Sequence, residues 1–238
     1  GRGCKFWDEW ANPKVVLEHP QILDFKYNEN TPNNEMTAEW NEKRKSIAKK
    51  VNDLGTIYGY QWRYFNTEYE FPNNIIKSYY GDQLDSIVKK LKTNPYDRRM
   101  VCSAWNPHHL HMMALPPCHY SFTVVVYGDT LNLTWNQSSC DLMLGVPNNI
   151  TFYAILLHLL AITANLVPGE LVGKLEDCHI YDNHMQGAKQ IVDREEKDLP
   201  MISFKHVGGN IFDWRGKDDT LLVGYDPHPA IDMGKVTV

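Results

Sequence analysis

The sequence predicts an α+β domain in which a mixed or antiparallel sheet packs on one long buried helix. Three observations carry that prediction. Residues 119–127 and 131–137 read as strands, joined by Gly128-Asp129-Thr130 as a short hairpin signal. Residues 149–164 form an apolar run too long for a strand. The apolar period switches between helix-like and strand-like along the chain with no internal repeat, so one domain over residues 1–238 accounts for it.

The elements follow in order. Residues 5–10 (KFWDEW) are aromatic and acidic, and residues 12–52 read as an irregular insertion. Within and just beyond it, Trp40, Ile47 and Val51 recur at roughly helical spacing over 36–53. Residues 80–93 give a clearer amphipathic helix, with Leu84, Ile87, Val88 and Leu91 as its stripe and Asn94-Pro95 as its stop. Strands are expected at 100–105, 119–127, 131–137, 171–180, 201–204 and 220–225, and a further helix at 182–195. Pro168-Gly169 is expected to end the long helix region, and Asn148 or Asn149 to cap the start of that helix.

Composition narrows the class. Hydrophobic residues make up 43% and charged residues 22%, ordinary for a globular chain. The formal net charge of -5 supplies no basic field for nucleic acid or an anionic membrane, so neither is expected as a partner. The apolar stretch 150–167 is interrupted by Thr151, Tyr153, His158, Thr163 and Asn165 and reads as a core helix. Five cysteines, an odd number without a CxxC pair, argue against a disulfide framework or a zinc knuckle. Free thiols point to a reducing compartment, the cytoplasm.

Four segments hold candidate chemistry. In Pro116-Pro117-Cys118-His119, two prolines stiffen the approach to a thiol beside an imidazole, which suits either an activated nucleophile or an inert core cysteine. Polar residues crowd Gln137 to Asn149 at the end of a strand, as a ligand site or as an elaborate loop and cap. His179 and Tyr181 fall on one side of a strand, where both reach a sugar hydroxyl or carbonyl. A zinc site from Cys178, His179 and His184 is disfavoured because adjacent strand residues point oppositely, and no metal is expected. Arg98-Arg99 suits a phosphate or a solvated surface. His108, His109 and His111 receive no role.

Taken together, the runs FWDEWA (6–11), DLGTIYGYQWR (53–63), NPYDRRMVCSAWNP (94–107), LHMMALPPCH (110–119), QSSCDLMLGVPNNI (137–150), DCHIYDNHMQ (177–186) and GYDPHPAI (224–231) closely resemble the thymidylate synthase family, in family order. The resemblance implies a one-carbon transferase acting on dUMP with 5,10-methylenetetrahydrofolate as cosubstrate. It makes Cys118 the nucleophile for C6 of the base, with Asn149, Tyr58 and His119 as catalytic neighbours. It makes Arg98, Arg99, Gln137, Ser139, Asn149, His179 and Tyr181 substrate-binding. Trp7, Trp10, Asp141, Leu144, Gly145 and Thr237 fall on the reduced folate. Arg98 and Arg99 match arginines shared across a homodimer interface. An asparagine at 149 suits uracil, whereas an aspartate there would favour cytosine.

The chain departs from the family pattern in three places. Ser138 stands where an arginine is expected to bind phosphate and activate the thiol, Asn148 replaces an aromatic, and the family's N-terminal segment is expected to be missing. These departures motivate two alternatives: a deoxyuridylate hydroxymethylase giving 5-hydroxymethyl-dUMP, and a catalytically weak nucleotide-binding relative.

Overall fold

The computed structural model describes residues 56–66, 81–110, 113, 115–205 and 209–233, and the backbone alone of 69–70 and 74–75. The expected insertion at 12–52, the helix at 36–53, and Trp7, Trp10 and Thr237 lie outside the described residues. The chain divides into two compact units. The first takes residues 2–85 and 102–120, and the second residues 86–101 and 121–238 together with Gly1.

In the first unit, α1 (Gly59–Tyr64) buries Gln61 and Trp62. Two short strands, β1 (Tyr69–Glu70) and β2 (Asn74–Ile75), pair antiparallel. Helix α2 (Gln83–Thr93) begins in this unit and continues into the second. Its first residue acts as a clamp: the Gln83 amide donates to the Gln61 and Ser103 carbonyls at 2.9 and 2.8 Å and accepts from the Ser103 N–H at 2.9 Å. A second polar cluster lies beneath α1. The Gln61 amide donates to the Thr56 carbonyl at 2.6 Å and to His109 Nδ1 at 3.1 Å, while Asn106 Nδ2 donates back to Gln61 Oε1 at 3.1 Å. His109, which the sequence left without a role, is therefore a satisfied buried histidine.

The strands that follow are β3 (Val101–Ser103), β4 (His119–Tyr127), β5 (Thr130–Asp141) and, after helix α3 (Gly145–Ala164), β6 (Val167–His179). They form one sheet in the order β3–β4–β5–β6. The β4–β5 turn uses Gly128 at φ 61°, a left-handed conformation that costs glycine little. β5 and β6 run parallel, as the crossover through α3 requires, with Trp135 beside Gly173 and Gln137 beside Leu175. The sheet is thus mixed.

Alternate side chains of β5, Leu131, Leu133, Trp135 and Gln137, point into the core of the second unit. Leu156, Leu157 and Leu160 of α3 are buried there too. Tyr153 is fully buried, stacked on Trp135 at 5.3 Å and edge-on to Phe122 at 6.0 Å. By length and composition α3 is apolar enough to cross a membrane, but these buried leucines mark it as a core helix. Asp182–His184 forms a 3-10 turn leading into α4 (Met185–Val192), and β7 (Met201–Phe204) pairs antiparallel with β8 (Thr220–Val223).

Three boundaries correct the sequence reading. β5 continues through Ser138, Ser139 and Cys140 to Asp141, because β6 pairs with it over that whole length. α3 starts at Gly145, four residues early; Pro147 sits in its first turn, where an absent N–H costs nothing. Pro168 and Gly169 lie inside β6 instead of ending a helix region.

Candidate active site

One candidate group, around the thiol, lies in the first unit. Pro117 is buried and Cys118 is half-buried at the entry to β4. The Cys118 backbone N–H donates to Tyr58 Oη at 3.2 Å, so the tyrosine fixes the chain at the thiol. Tyr58 itself is held at φ 36°, a strained backbone for an aromatic residue. Its ring stacks on His119 with centroids 4.1 Å apart and planes 11° from parallel. Burial pushes the Tyr58 phenol up, with the Cys118 charge as a further cause, so it remains a proton donor across physiological pH. Burial also lowers the His119 imidazole to about 4, which keeps it neutral. Cys102 offers a contrast: burial, with Asp82 adding to it, raises its thiol far above the usual range. That residue is an inert core cysteine, whereas Cys118 is partly open.

A second candidate group, around an amide, lies in the second unit. Gln137, only 1% exposed, donates through Nε2 to the Ser139 carbonyl and to Asn149 Oδ1, both at 3.0 Å. Trp135 Nε1 donates to Gln137 Oε1 at 3.1 Å. Asn149 lies one turn into α3 and is half-buried.

Asp141 supplies the helix start. Its Oδ1 accepts from the Met143 and Leu144 N–H groups at 3.0 and 3.4 Å, and its Oδ2 accepts from the Gly145 N–H at 3.2 Å. Neither Asn148 nor Asn149 caps this helix; Leu144 stands at its N-cap without a side-chain cap bond, and Asp141 holds the approach and satisfies the first helical N–H, that of Gly145. Asn148 lies inside α3 and donates to the Leu144 carbonyl at 2.7 Å.

His179 ends β6 and Tyr181 follows it, their rings 5.1 Å apart and edge-on. His184, which the sequence considered only as a zinc ligand, is fully buried 3.9 Å from Asp141. Neither of its ring nitrogens has a hydrogen-bond partner among the described residues. Among the described residues no cluster of His, Cys, Asp and Glu suits a metal.

Arg98 and Arg99 are exposed on the loop after α2. Asp97 shapes that loop by accepting from the Arg99 N–H at 2.7 Å and from Lys90 Nζ at 3.4 Å. The Arg99 N–H, and then Lys90, hold the Asp97 carboxyl below its ordinary value. Neither arginine guanidinium makes an ion pair among the described residues.

These parts define an α+β protein with a strand-entry thiol and a hydrogen-bonded amide at the head of a buried helix. The chain belongs to the thymidylate synthase family, whose family model matches residues 1–237. It is 38% identical over 206 residues to a thymidylate synthase of Saccharomyces cerevisiae, covering 83% of this chain and 67% of that one. It is 42% identical over 202 residues to a bifunctional dihydrofolate reductase-thymidylate synthase of Leishmania major, covering 83% of this chain and 38% of that one. A second bifunctional relative, from Arabidopsis thaliana, is 39% identical over 188 residues, or 78% of this chain and 33% of that one. The chain thus spans well under half of either bifunctional relative.

Proposed function

We propose that this chain transfers and reduces a one-carbon unit onto C5 of dUMP, with 5,10-methylenetetrahydrofolate as cosubstrate, giving dTMP and dihydrofolate. The observation that carries the reading is Cys118, half-buried at a strand entry with its backbone N–H held by Tyr58. In this scheme the Cys118 thiolate adds to C6, and the electron pair released to C5 attacks the folate methylene. Loss of the C5 proton and departure of the folate nitrogen leave an exocyclic methylene on the base. Hydride from the folate then converts it to methyl, and expulsion of the thiolate restores the C5–C6 double bond. Splitting one substitution into addition and elimination lowers each barrier. The buried Tyr58 phenol stays protonated and serves a developing negative charge, while neutral His119 packs against its ring.

The remaining roles are assigned by residue. Asn149 reads the uracil edge, held by Gln137. His179 and Tyr181 take the deoxyribose hydroxyl, and Ser139 the phosphate. Asp141, Leu144 and Gly145 lie at the head of α3, where reduced folate binds. The relatives named above are thymidylate synthases, which favours methylation over hydroxymethylation. Incubating the protein with dUMP and methylenetetrahydrofolate should give dTMP and dihydrofolate by mass. Tritium release from C5-labelled dUMP should vanish in Cys118→Ala; release that survives the substitution sinks the nucleophile. 5-Hydroxymethyl-dUMP without dihydrofolate would replace the reaction assigned here.

We also assign a homodimer. The exposed Arg98 and Arg99 are then available to the partner's phosphate, and the open face of the sheet carries the exposed apolar groups Val125, Tyr127 and Val172. Mixing Cys118→Ala with an Arg98→Ala/Arg99→Ala double variant should recover activity that neither has alone. No recovery under exchange conditions would place the arginines in their own chain's site. The free described cysteines fit a cytoplasmic setting.

A further inference from the structure

Trp135 has the composition of a core residue: it is 4% exposed and stacks on Tyr153. Its position is made possible by Gly173 on the neighbouring strand, where any Cβ would run into the indole ring. Yet its polar edge is not idle. The indole N–H is a donor and nothing else, so the Gln137 atom facing it at 3.1 Å is the carbonyl oxygen. That leaves the Gln137 NH2 on the other side, where one hydrogen goes to the Ser139 carbonyl and the other to Asn149. The Asn149 atom facing an NH2 at 3.0 Å is in turn its Oδ1. The Asn149 NH2 is therefore the group turned away from Gln137, and it has no hydrogen-bond partner among the described residues. All these side chains lie in the second unit.

We propose that Trp135 is a specificity-determining positioning residue: its N–H, relayed through Gln137, sets which end of the Asn149 amide is presented to the pyrimidine. The inference rests on the reading of Asn149 as the base-contacting residue. An isolated carboxamide presents donor or acceptor equally well by rotating half a turn, and so would serve uracil or cytosine. Uracil offers an acceptor at O4 and a donor at N3. Cytosine offers a donor at N4 and an acceptor at N3. With its oxygen committed to Gln137, Asn149 donates to O4, and the remaining lone pair on Oδ1 accepts from N3–H. The opposite pose, needed for the cytosine amino group, would set the Asn149 NH2 against the Gln137 NH2 and leave a buried donor unpaired. The relay thus excludes cytosine without touching it, through a donor-only group two residues away along β5.

The test measures dUMP and dCMP dissociation constants by calorimetry for the wild type, Trp135→Phe and Gln137→Glu. Trp135→Phe keeps an aromatic ring against Tyr153 and deletes the N–H, leaving only the Ser139 carbonyl to hold the Gln137 amide in its present sense. The preference for dUMP over dCMP should fall by about tenfold or more, one hydrogen bond's worth of discrimination. A merely structural role would weaken both nucleotides equally, and an unchanged ratio in Trp135→Phe overturns the proposal. Gln137→Glu presents only acceptors, so Asn149 must turn its NH2 inward and the preference should shift toward dCMP. If the buried carboxylate prevents folding of that variant, Trp135→Phe decides alone. A wild type that shows no preference for dUMP overturns the base-reading role of Asn149 and the relay with it. A selective wild type with an unmoved Trp135→Phe ratio overturns the relay only.

Discussion

The Tyr58–Cys118–His119 group and the Trp135–Gln137–Asn149 group each hold one short polar side chain, and each does so by different physics. In the first, desolvation does the tuning. Of two stacked rings one is buried and the other half-buried, one titratable proton is held on the phenol, another is kept off the imidazole, and a hydrogen bond from the Cys118 N–H to Tyr58 holds the backbone at the thiol. In the second, direction does the tuning. Neutral donors and acceptors are laid end to end, and the order of donor and acceptor carries the information. A site group tuned by burial responds to pH and to loss of bulk. A group tuned by direction responds to isosteric exchanges that leave bulk unchanged.

The largest expected effect follows from the first mode. A histidine in an unfolded chain titrates near 6.5, whereas burial lowers folded His119 to about 4. Between those values the unfolded chain binds a proton that the folded chain does not, so stability rises with pH through that window. The contribution is fully present above about 6.5 and is lost as pH falls toward 4, by about 3 kcal/mol in total. Urea unfolding from pH 7.5 to 4 should show that slope, and His119→Phe, which keeps a ring against Tyr58, should flatten it by that amount. Equal slopes in the two proteins would mean that desolvation does not govern this group.

The two modes also explain what was legible in the sequence. The strand entry at Cys118-His119 and the β4–β5 hairpin were readable because the local run PPCH and the turn at Gly128 carry their own signals, whereas the roles of Cys118 and His119 came from the family resemblance. The long buried helix was readable from its apolar run, but its start was not. The group that holds its approach, Asp141, belongs to the preceding strand and reaches forward to the N–H groups of Met143, Leu144 and Gly145. The full length of β5 was equally hidden, since its end is held by pairing with β6 on the far side of α3. Trp135 looked like one more apolar position in an alternating strand. Its role depends on a rotamer-level contact with Gln137 and on the space left by Gly173, and neither has a local signature. His184 could be seen as a possible ligand in the sequence, but only the fold reveals that it is fully buried.

Asp141 gives the smallest effect, and it sharpens the comparison because one side chain is asked to do two things. Its oxygens are engaged by the N–H groups at the head of α3, and the same carboxylate is assigned to reduced folate. Capping depends on an acceptor oxygen, so Asp141→Ala should cost about 1–2 kcal/mol, whereas asparagine caps almost as well as aspartate. Asp141→Asn keeps one acceptor oxygen for Met143 and Leu144 but sets its NH2 against the Gly145 N–H, so it loses that bond as well as the interaction of its charge with the helix N-terminus, the latter about 0.3–1 kcal/mol. If the charge also meets the folate, that variant should raise KM for methylenetetrahydrofolate while its urea midpoint falls between those of the wild type and Asp141→Ala. A folate KM unmoved in Asp141→Asn would confine this residue to capping α3. A loss of stability as large as in Asp141→Ala would show that charge, not direction, organises this end of the helix, and the contrast between the two groups would narrow accordingly.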